Sequence, residues 1–340
     1  TEVRQRIEQI ILRRFSGSHV ESQVQISESN HARVHVVVRI APEDVGRARR
    51  PAPLPDIEAV EREIAAAAAT WTDRLRSALA TVGDPDSAAR LAGRYASAFP
   101  VAYQAQVDPA DALEDIADLE RLGDDSQALR LNLHRPAGKP ASRVFLKFIK
   151  RGEAIAVSDL LPVMENFGLR MIAERPHEVA LGGGATASIQ DFEFERHGGA
   201  PLAIDRVEAR FIEAFLAVWR GRVDNDGFNR LLLATMLEAG QIVVLRGCAR
   251  YLVQTGLPFS QNYMERTLAN HPDVAADLYA LFDLQFNPAQ GRAREARAGR
   301  LRDRIRRRLD AVRSADEDRI LRAYLALIGA MLRTNYYLPP

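Results

Sequence analysis

The chain has little of what most chemistry is built from. One cysteine, Cys248, stands alone in 340 residues, so no internal disulfide can form, and a cytoplasmic compartment is expected. Of the 46 basic residues only Lys139, Lys147 and Lys150 are lysines. Seven histidines are scattered without a His-Glu-x-x-His pattern or a cysteine partner, which leaves no readable zinc site. No apolar run approaches the roughly 18–20 residues of a membrane helix, and the opening TEVRQRIEQI is too charged for a signal peptide. A formal net charge of +1 gives no global attraction to nucleic acid or anionic lipid. What remains is a globular composition, 47% hydrophobic and 27% charged, long enough for two to three domains.

Hydropathy patterns divide the chain into an α+β series. Residues 1–41 read as a helix plus a hairpin. Val3, Ile7, Ile10, Ile11 and Phe15 share a helical face, and Gly17 is the expected helix-ending glycine. Val20–Ser27 and His31–Ile40 alternate as strands. A helix and one hairpin are too little to close a core, so the chain is expected to begin inside a domain. Residues 42–56, with four prolines, read as a linker. A helical region follows at 57–125. It includes a helix from Ile57 through Leu79 up to the break at Gly83-Asp84-Pro85, and a second through Leu91, Tyr95 and Phe99. Residues 126–200 return to strands, at Leu129–Leu133, Val144–Ile149, Leu169–Leu181 and Ser188–Glu195, with a helix at Ser158–Phe167. Phe145, Leu146, Phe148 and Ile149 are apolar at both parities, which predicts a central strand buried on both sides or at a contact. Residues 201–340 are helical throughout. Segments are expected at Phe228–Ala239, Gln241–Thr255, Gln261–Ala269, Val274–Phe286, Gly291–Ala311 and Asp316–Thr334, the last with a Ser314/Glu317 capping box.

Several motifs invite chemistry, and each has a plainer explanation. Gly182-Gly183-Gly184-Ala185-Thr186-Ala187 fits a relaxed dinucleotide fingerprint after a strand. The third small residue of such a fingerprint must open a helix, and here Ser188–Glu195 alternates as a strand, so a hairpin loop is expected. His31 and His35 lie roughly 13 Å apart on one strand face, too far to share a metal. Asp224-Asn225-Asp226-Gly227 resembles a calcium loop whose glycine comes too early and whose distal glutamate is missing. Cys248, among Val243, Val244, Leu245 and Tyr251, reads as core packing rather than a nucleophile. The arginines from Arg292 to Arg308 could neutralise phosphates. Leu301, Ile305, Leu309 and Val312 run between them as an apolar stripe, and Glu295, Asp303 and Asp310 interrupt the charge.

Two resemblances carry more. VSDLLPVMENFGLRMIAERPHEV (residues 157–179), a helix turned into a strand by Gly168, resembles an ACT-like regulatory module. Together with LVQTGLPFSQNYMERTLANHPDVA (252–275) and LRTNYY (332–337), nearly the whole chain resembles the large bacterial NAD-specific glutamate dehydrogenases, in a region upstream of their catalytic domain. ACT-like modules fold as βαββαβ, and here no closing strand follows Val218, so Leu129–Leu133 is expected to take its place. The resemblance implies a possible amino-acid effector near Gly152, Glu153 and Asn166. It implies no catalytic, cofactor or metal residue in this segment and a catalytic domain starting just past Pro340. In the parent it implies NAD, glutamate deamination, allosteric regulation, and contacts with its own catalytic domain and the other subunits of a homo-oligomer. A stand-alone amino-acid sensor and an Arg-rich nucleic-acid-binding helical protein are the alternatives.

Overall fold

The computed structural model describes residues 2–26, 32–40, 55–123, 125, 128–291 and 293–338. The linker at 42–54 and His31 lie outside them, so the expectations placed there are not addressed. The chain divides into two compact units, Thr1–Ile116 and Ala117–Pro340.

In the first unit, helix α1 (Glu2–Arg14) packs on an antiparallel hairpin of β1 (His19–Ile26) and β2 (Ala32–Arg39). Gly17 is there for a different reason from the one its position implies. The left-handed residue ending α1 is Ser16, at φ 50°. A Cβ on Gly17 would lie 2.2 Å from the Val38 Cγ1 of β2, so the close approach of helix and hairpin excludes any side chain there. Among the described residues the next helices are α2 (Ile57–Ala68), α3 (Trp71–Val82), α4 (Pro85–Tyr95) and the single turn α5 (Val101–Gln104). The expected run from Ile57 to Leu79 is broken at Ala69, because Thr70 and Asp73 form a reciprocal capping box that starts a new helix. The second helix ends at Tyr95, four residues before Phe99. Trp71, Tyr95, Phe99 and Tyr103 make the aromatic core, with Phe99 and Tyr103 stacked at 4.5 Å. Helix α6 (Ala112–Leu122) crosses the division between the units.

The second unit opens with a four-stranded antiparallel sheet ordered β3-β4-β6-β5, made of β3 (Leu129–His134), β4 (Arg143–Arg151), β5 (Leu169–Gly182) and β6 (Ala185–Arg196). Helix α7 (Val157–Asn166) links β4 to β5, and α8 (Ile204–Trp219) follows β6. This is the ACT-like βαββα order, with β3 beside β4 where a closing strand would stand, as the missing strand after Val218 led one to expect. Gly168, at φ 80°, ends α7 in the left-handed conformation and releases the chain straight into β5. The triple glycine is a two-residue hairpin turn: Gly182 pairs with Ala185, and Gly183 and Gly184 have φ of 60° and 80°.

Strand β4 is buried at both parities, as its sequence predicts. Val144, Leu146 and Phe148 join Phe192 and Phe194 of β6 against Leu160 and Met164 of α7, Phe167 at its C-cap, and Phe211 and Phe215 of α8. Phe145 and Ile149 are buried on the opposite face, near Ile189 and Val179. The core then runs without interruption into the helices α9 (Arg230–Ala234), α10 (Ala239–Gln254), α11 (Gln261–Asn270), α12 (Pro272–Phe286), α13 (Arg294–Leu309) and α14 (Ala315–Ala330).

Two local expectations give way here. Phe228–Ala239 is not one helix. Thr235 Oγ1 donates to Leu231 O at 2.6 Å and accepts from Leu237 N at 3.0 Å, replacing the helical ladder after Ala234. At α14 the capping box is half made. Ser314 Oγ accepts from Glu317 N, while the Glu317 carboxylate turns to Asn270 and His271 instead.

Candidate functional site

The sequence points first to the loop between β4 and α7. Gly152 sits there at φ 73°, and its N–H donates to Thr186 O at 2.9 Å. Gln190, buried on β6, reaches into the same loop. Its amide accepts from Ile155 N at 2.7 Å and donates to Ile155 O at 3.0 Å and to Glu174 Oε1 at 2.9 Å. Two of the loop's backbone donors, Gly152 N and Ile155 N, are thus taken by the protein itself. Glu153 is exposed beside Gly152. Asn166 is not brought to them: it lies at the far end of α7, about 15 Å along a ten-residue helix, and donates to Asn225 Oδ1 at 2.9 Å. Nothing in the sequence marks Gln190 beyond its being a polar residue on a strand whose neighbours on the same face are phenylalanines.

The opposite sheet face carries a charged cluster. Glu193, 9% exposed, has Lys139, Arg143 and Arg175 at 3.9, 3.7 and 3.8 Å, and Arg175 also reaches Asp191 at 3.6 Å. Glu195 takes Arg170 and Arg143, and these guanidiniums hold its carboxyl below the ordinary glutamate range, the Arg170 hydrogen bond most of all.

In the helical part the calcium-like Asp224–Gly227 segment is a turn tied to a buried guanidinium. Arg246, 2% exposed, donates to both Asp226 oxygens at 2.7 and 2.9 Å and to Asn229 Oδ1 at 2.9 Å. Gly227 N donates to Glu265 Oε2 at 3.1 Å, and a Cβ on Gly227 would lie 2.7 Å from that oxygen. Cys248 is buried, and burial pushes its thiol up to about 12, away from any nucleophilic role at neutral pH. The arginine run is half structural. Arg304 Nε donates to Asp277 Oδ2 at 3.0 Å and Arg308 Nη1 to the same oxygen at 2.8 Å, while Leu301, Ile305 and Leu309 are buried.

The last described residues fold back on this helical core. The rings of Tyr336 and Tyr337 lie 5.6 and 6.1 Å from that of Phe282. Tyr337 Oη donates to Asp283 Oδ1 at 2.7 Å, and Tyr336 Oη to Gly240 O at 3.0 Å. Burial raises both phenols, with Tyr279 and Asp283 adding to it. No helix among the described residues is long and apolar enough to cross a membrane.

An ACT-like sheet is followed by a helical region with a C-terminal stretch packed onto it, and sequence models of glutamate dehydrogenase domains match along the chain. The glutamate dehydrogenase ACT2 domain matches residues 1–72, helical motif 2 residues 78–122, the ACT3 domain residues 128–207 and helical motif 3 residues 223–288. The catalytic domain of bacterial NAD-glutamate dehydrogenase matches residues 304–339, so that likeness begins inside α13 rather than past Pro340. The NAD-specific glutamate dehydrogenase of Halomonas elongata is 36% identical over 337 residues, covering 99% of this chain and 20% of that protein. That of Mycobacterium tuberculosis is 37% identical over 350 residues, covering 99% and 21%. That of Pseudomonas aeruginosa is 31% identical over 345 residues, covering 100% and 21%. The chain belongs to the bacterial NAD-specific glutamate dehydrogenase family, and it spans about a fifth of the length of the curated relatives it matches.

Proposed function

We propose that the chain is the ACT-like regulatory and subunit-contact region of an NAD-dependent glutamate dehydrogenase. The whole protein would be a cytoplasmic homo-oligomer converting L-glutamate, NAD and water to 2-oxoglutarate, ammonia and NADH, with the chemistry carried by another part of it. The observation that carries the reading is the docking of Tyr336 and Tyr337, which lie in the stretch matching the catalytic domain, onto Phe282 and Asp283 of helical motif 3. A displacement of one module is thereby passed to the other through packed rings and a hydrogen bond.

The purified chain is expected to produce no NADH from glutamate and NAD and to give no calorimetric NAD signal at micromolar ligand. In the parent enzyme, Tyr336→Ala/Tyr337→Ala is expected to leave the KM values for glutamate and NAD near wild type while changing kcat or the subunit mass. NADH production by the chain alone, or a parent variant unaltered in both kcat and mass, refutes the reading.

Among the described residues β1, β2 and β3 each have one edge without a strand partner, and subunit contacts are expected there. The other edge, β5, is blunted by Pro176, by Arg170, Glu174, Arg175 and Glu178, and by register shifts at Met171/Ala173 and Ala180/Gly182. The β1–β2 hairpin leaves Val24, Val34 and Val37 at 40–57% exposure. Light scattering at tens of micromolar should show association that Val24→Lys/Val37→Lys reduces. A monomeric mass at every concentration tells against subunit contacts through this region.

A further inference from the structure

A cleft of 770 Å³ lies along α13, with Tyr279 and Met236 on its other walls. Four arginines line it, Arg297, Arg300, Arg304 and Arg307. Their spacing of three, four and three residues places them on one helical face, within about 15 Å along the axis. Like charges so placed repel one another and weaken the helix.

Their neutralisation is incomplete. Arg304 shares the Asp277 carboxylate with Arg308, so two guanidiniums divide one negative charge. Arg297 donates to the neutral Gln290 amide at 3.0 Å. Arg300 and Arg307 make no ion pair among the described residues. Asp283, also in the cleft wall, could have served them. It accepts instead from the Tyr337 hydroxyl, the Asn287 amide and the Gln290 amide, at 2.7, 2.9 and 2.6 Å. The cleft therefore keeps a surplus of positive charge in planar forks, the geometry that grips phosphate and carboxylate oxygens in pairs.

We propose that this cleft, whose walls come from helical motif 3 (Met236, Tyr279, Asp283) and from the catalytic-domain stretch (Arg304, Arg307), binds a small polyanion through the forks of Arg297, Arg300 and Arg307. The volume falls within the range of small-molecule sites. Any consequence for the parent's activity rests on the regulatory reading above; binding itself does not, and the test reads binding alone.

The 340-residue chain is titrated by calorimetry at low salt with tripolyphosphate, ADP and tricarballylate, and with a short DNA duplex. At least one small anion is expected to bind saturably, and Arg300→Gln/Arg307→Gln to weaken it by about tenfold or more. Arg222→Gln, an exposed arginine outside the cleft, should leave binding unchanged, and a thermal melt confirms that each variant is folded. Tighter binding of the two phosphate compounds identifies phosphate as the ligand chemistry, and tighter tricarballylate identifies carboxylate; either supports the site. No saturable heat at millimolar probe overturns it. So does equal binding by the folded double variant, or a DNA duplex bound more tightly than every small anion.

Discussion

Replacing Phe148 by Ala tests whether the ACT-like sheet is the rigid centre of the second unit. Phe148 is 1% exposed on the central strand β4, and its ring meets Phe192 and Phe215 edge-on at 5.5 and 5.4 Å. Deleting a buried phenylalanine side chain costs about 3–5 kcal/mol, the larger values arising where the surroundings cannot collapse into the cavity. Strand β4 is held between β3 and β6, so its backbone has little freedom to move inward. The two lost aromatic pairs add about 0.5–1.5 kcal/mol each beyond buried area. A loss near 4–5 kcal/mol is therefore expected, a large part of the roughly 5–15 kcal/mol that holds a typical domain together. Urea unfolding read by Trp219, which stacks on Phe215 at 5.6 Å, reports it, with Trp71 replaced by Phe in every protein compared. Phe148→Leu, which keeps most of the volume but loses both aromatic pairs, should cost less, about 1–3 kcal/mol. A Phe148→Ala loss below about 1.5 kcal/mol would mean the site relaxes freely and the rigid-sheet argument is wrong.

Gly17→Ala is expected to destabilise the α1 hairpin by about 1–3 kcal/mol, because its Cβ meets Val38 at 2.2 Å; faster hydrogen exchange across β1 and β2 measures it. At Glu317 burial opposes ionisation, but hydrogen bonds from His271 and Asn270 outweigh it and hold the carboxyl below the ordinary value. Its contribution is thus complete above the unfolded pKa of roughly 4.3 and lost as the pH falls through the lower folded value, so the Glu317→Gln deficit should be about 1–2 kcal/mol at pH 7 and vanish in acid melts. Cys248 should resist a thiol reagent in the native chain and react at once in urea, since it is both buried and raised to about 12; prompt native labelling contradicts the packing. Gln190→Leu strands both backbone groups of Ile155, at about 2–4 kcal/mol for the two, and should speed amide exchange from Gly152 to Ile155.

Features decided within a few residues were legible in the sequence. The Gly168 helix–strand turn, the Gly183-Gly184 hairpin and the double-sided burial of β4 all follow from backbone conformation and apolar parity alone. The misreadings occur where a short side chain competes with the backbone or a distant element intrudes. Thr235 halts a helix that the apolar run Leu231, Leu232, Leu233 would continue, and Gly17 answers to Val38 across a hairpin. The site was less legible for the same reason. Gln190 and Ile155 are 35 residues apart, and Arg246 and Asp226 are 20 apart, so no local pattern announces either pair.

A ligand site needs polar groups that the fold has not already used, and this criterion separates the two places where this region could take an effector. In the β4–α7 loop, Gly152 N is bonded to Thr186 and both backbone groups of Ile155 to Gln190, so a ligand that used those groups would have to break protein bonds to make its own, an exchange that gains little. In the α13 cleft, a carboxylate that could have quenched the arginines is satisfied by neutral donors, and a ligand there would gain charge-assisted bonds while breaking none of the ion pairs. The core of the ACT-like sheet is continuous with that of the helices that carry the cleft, so a shift of packed side chains in one meets close-packed neighbours in the other.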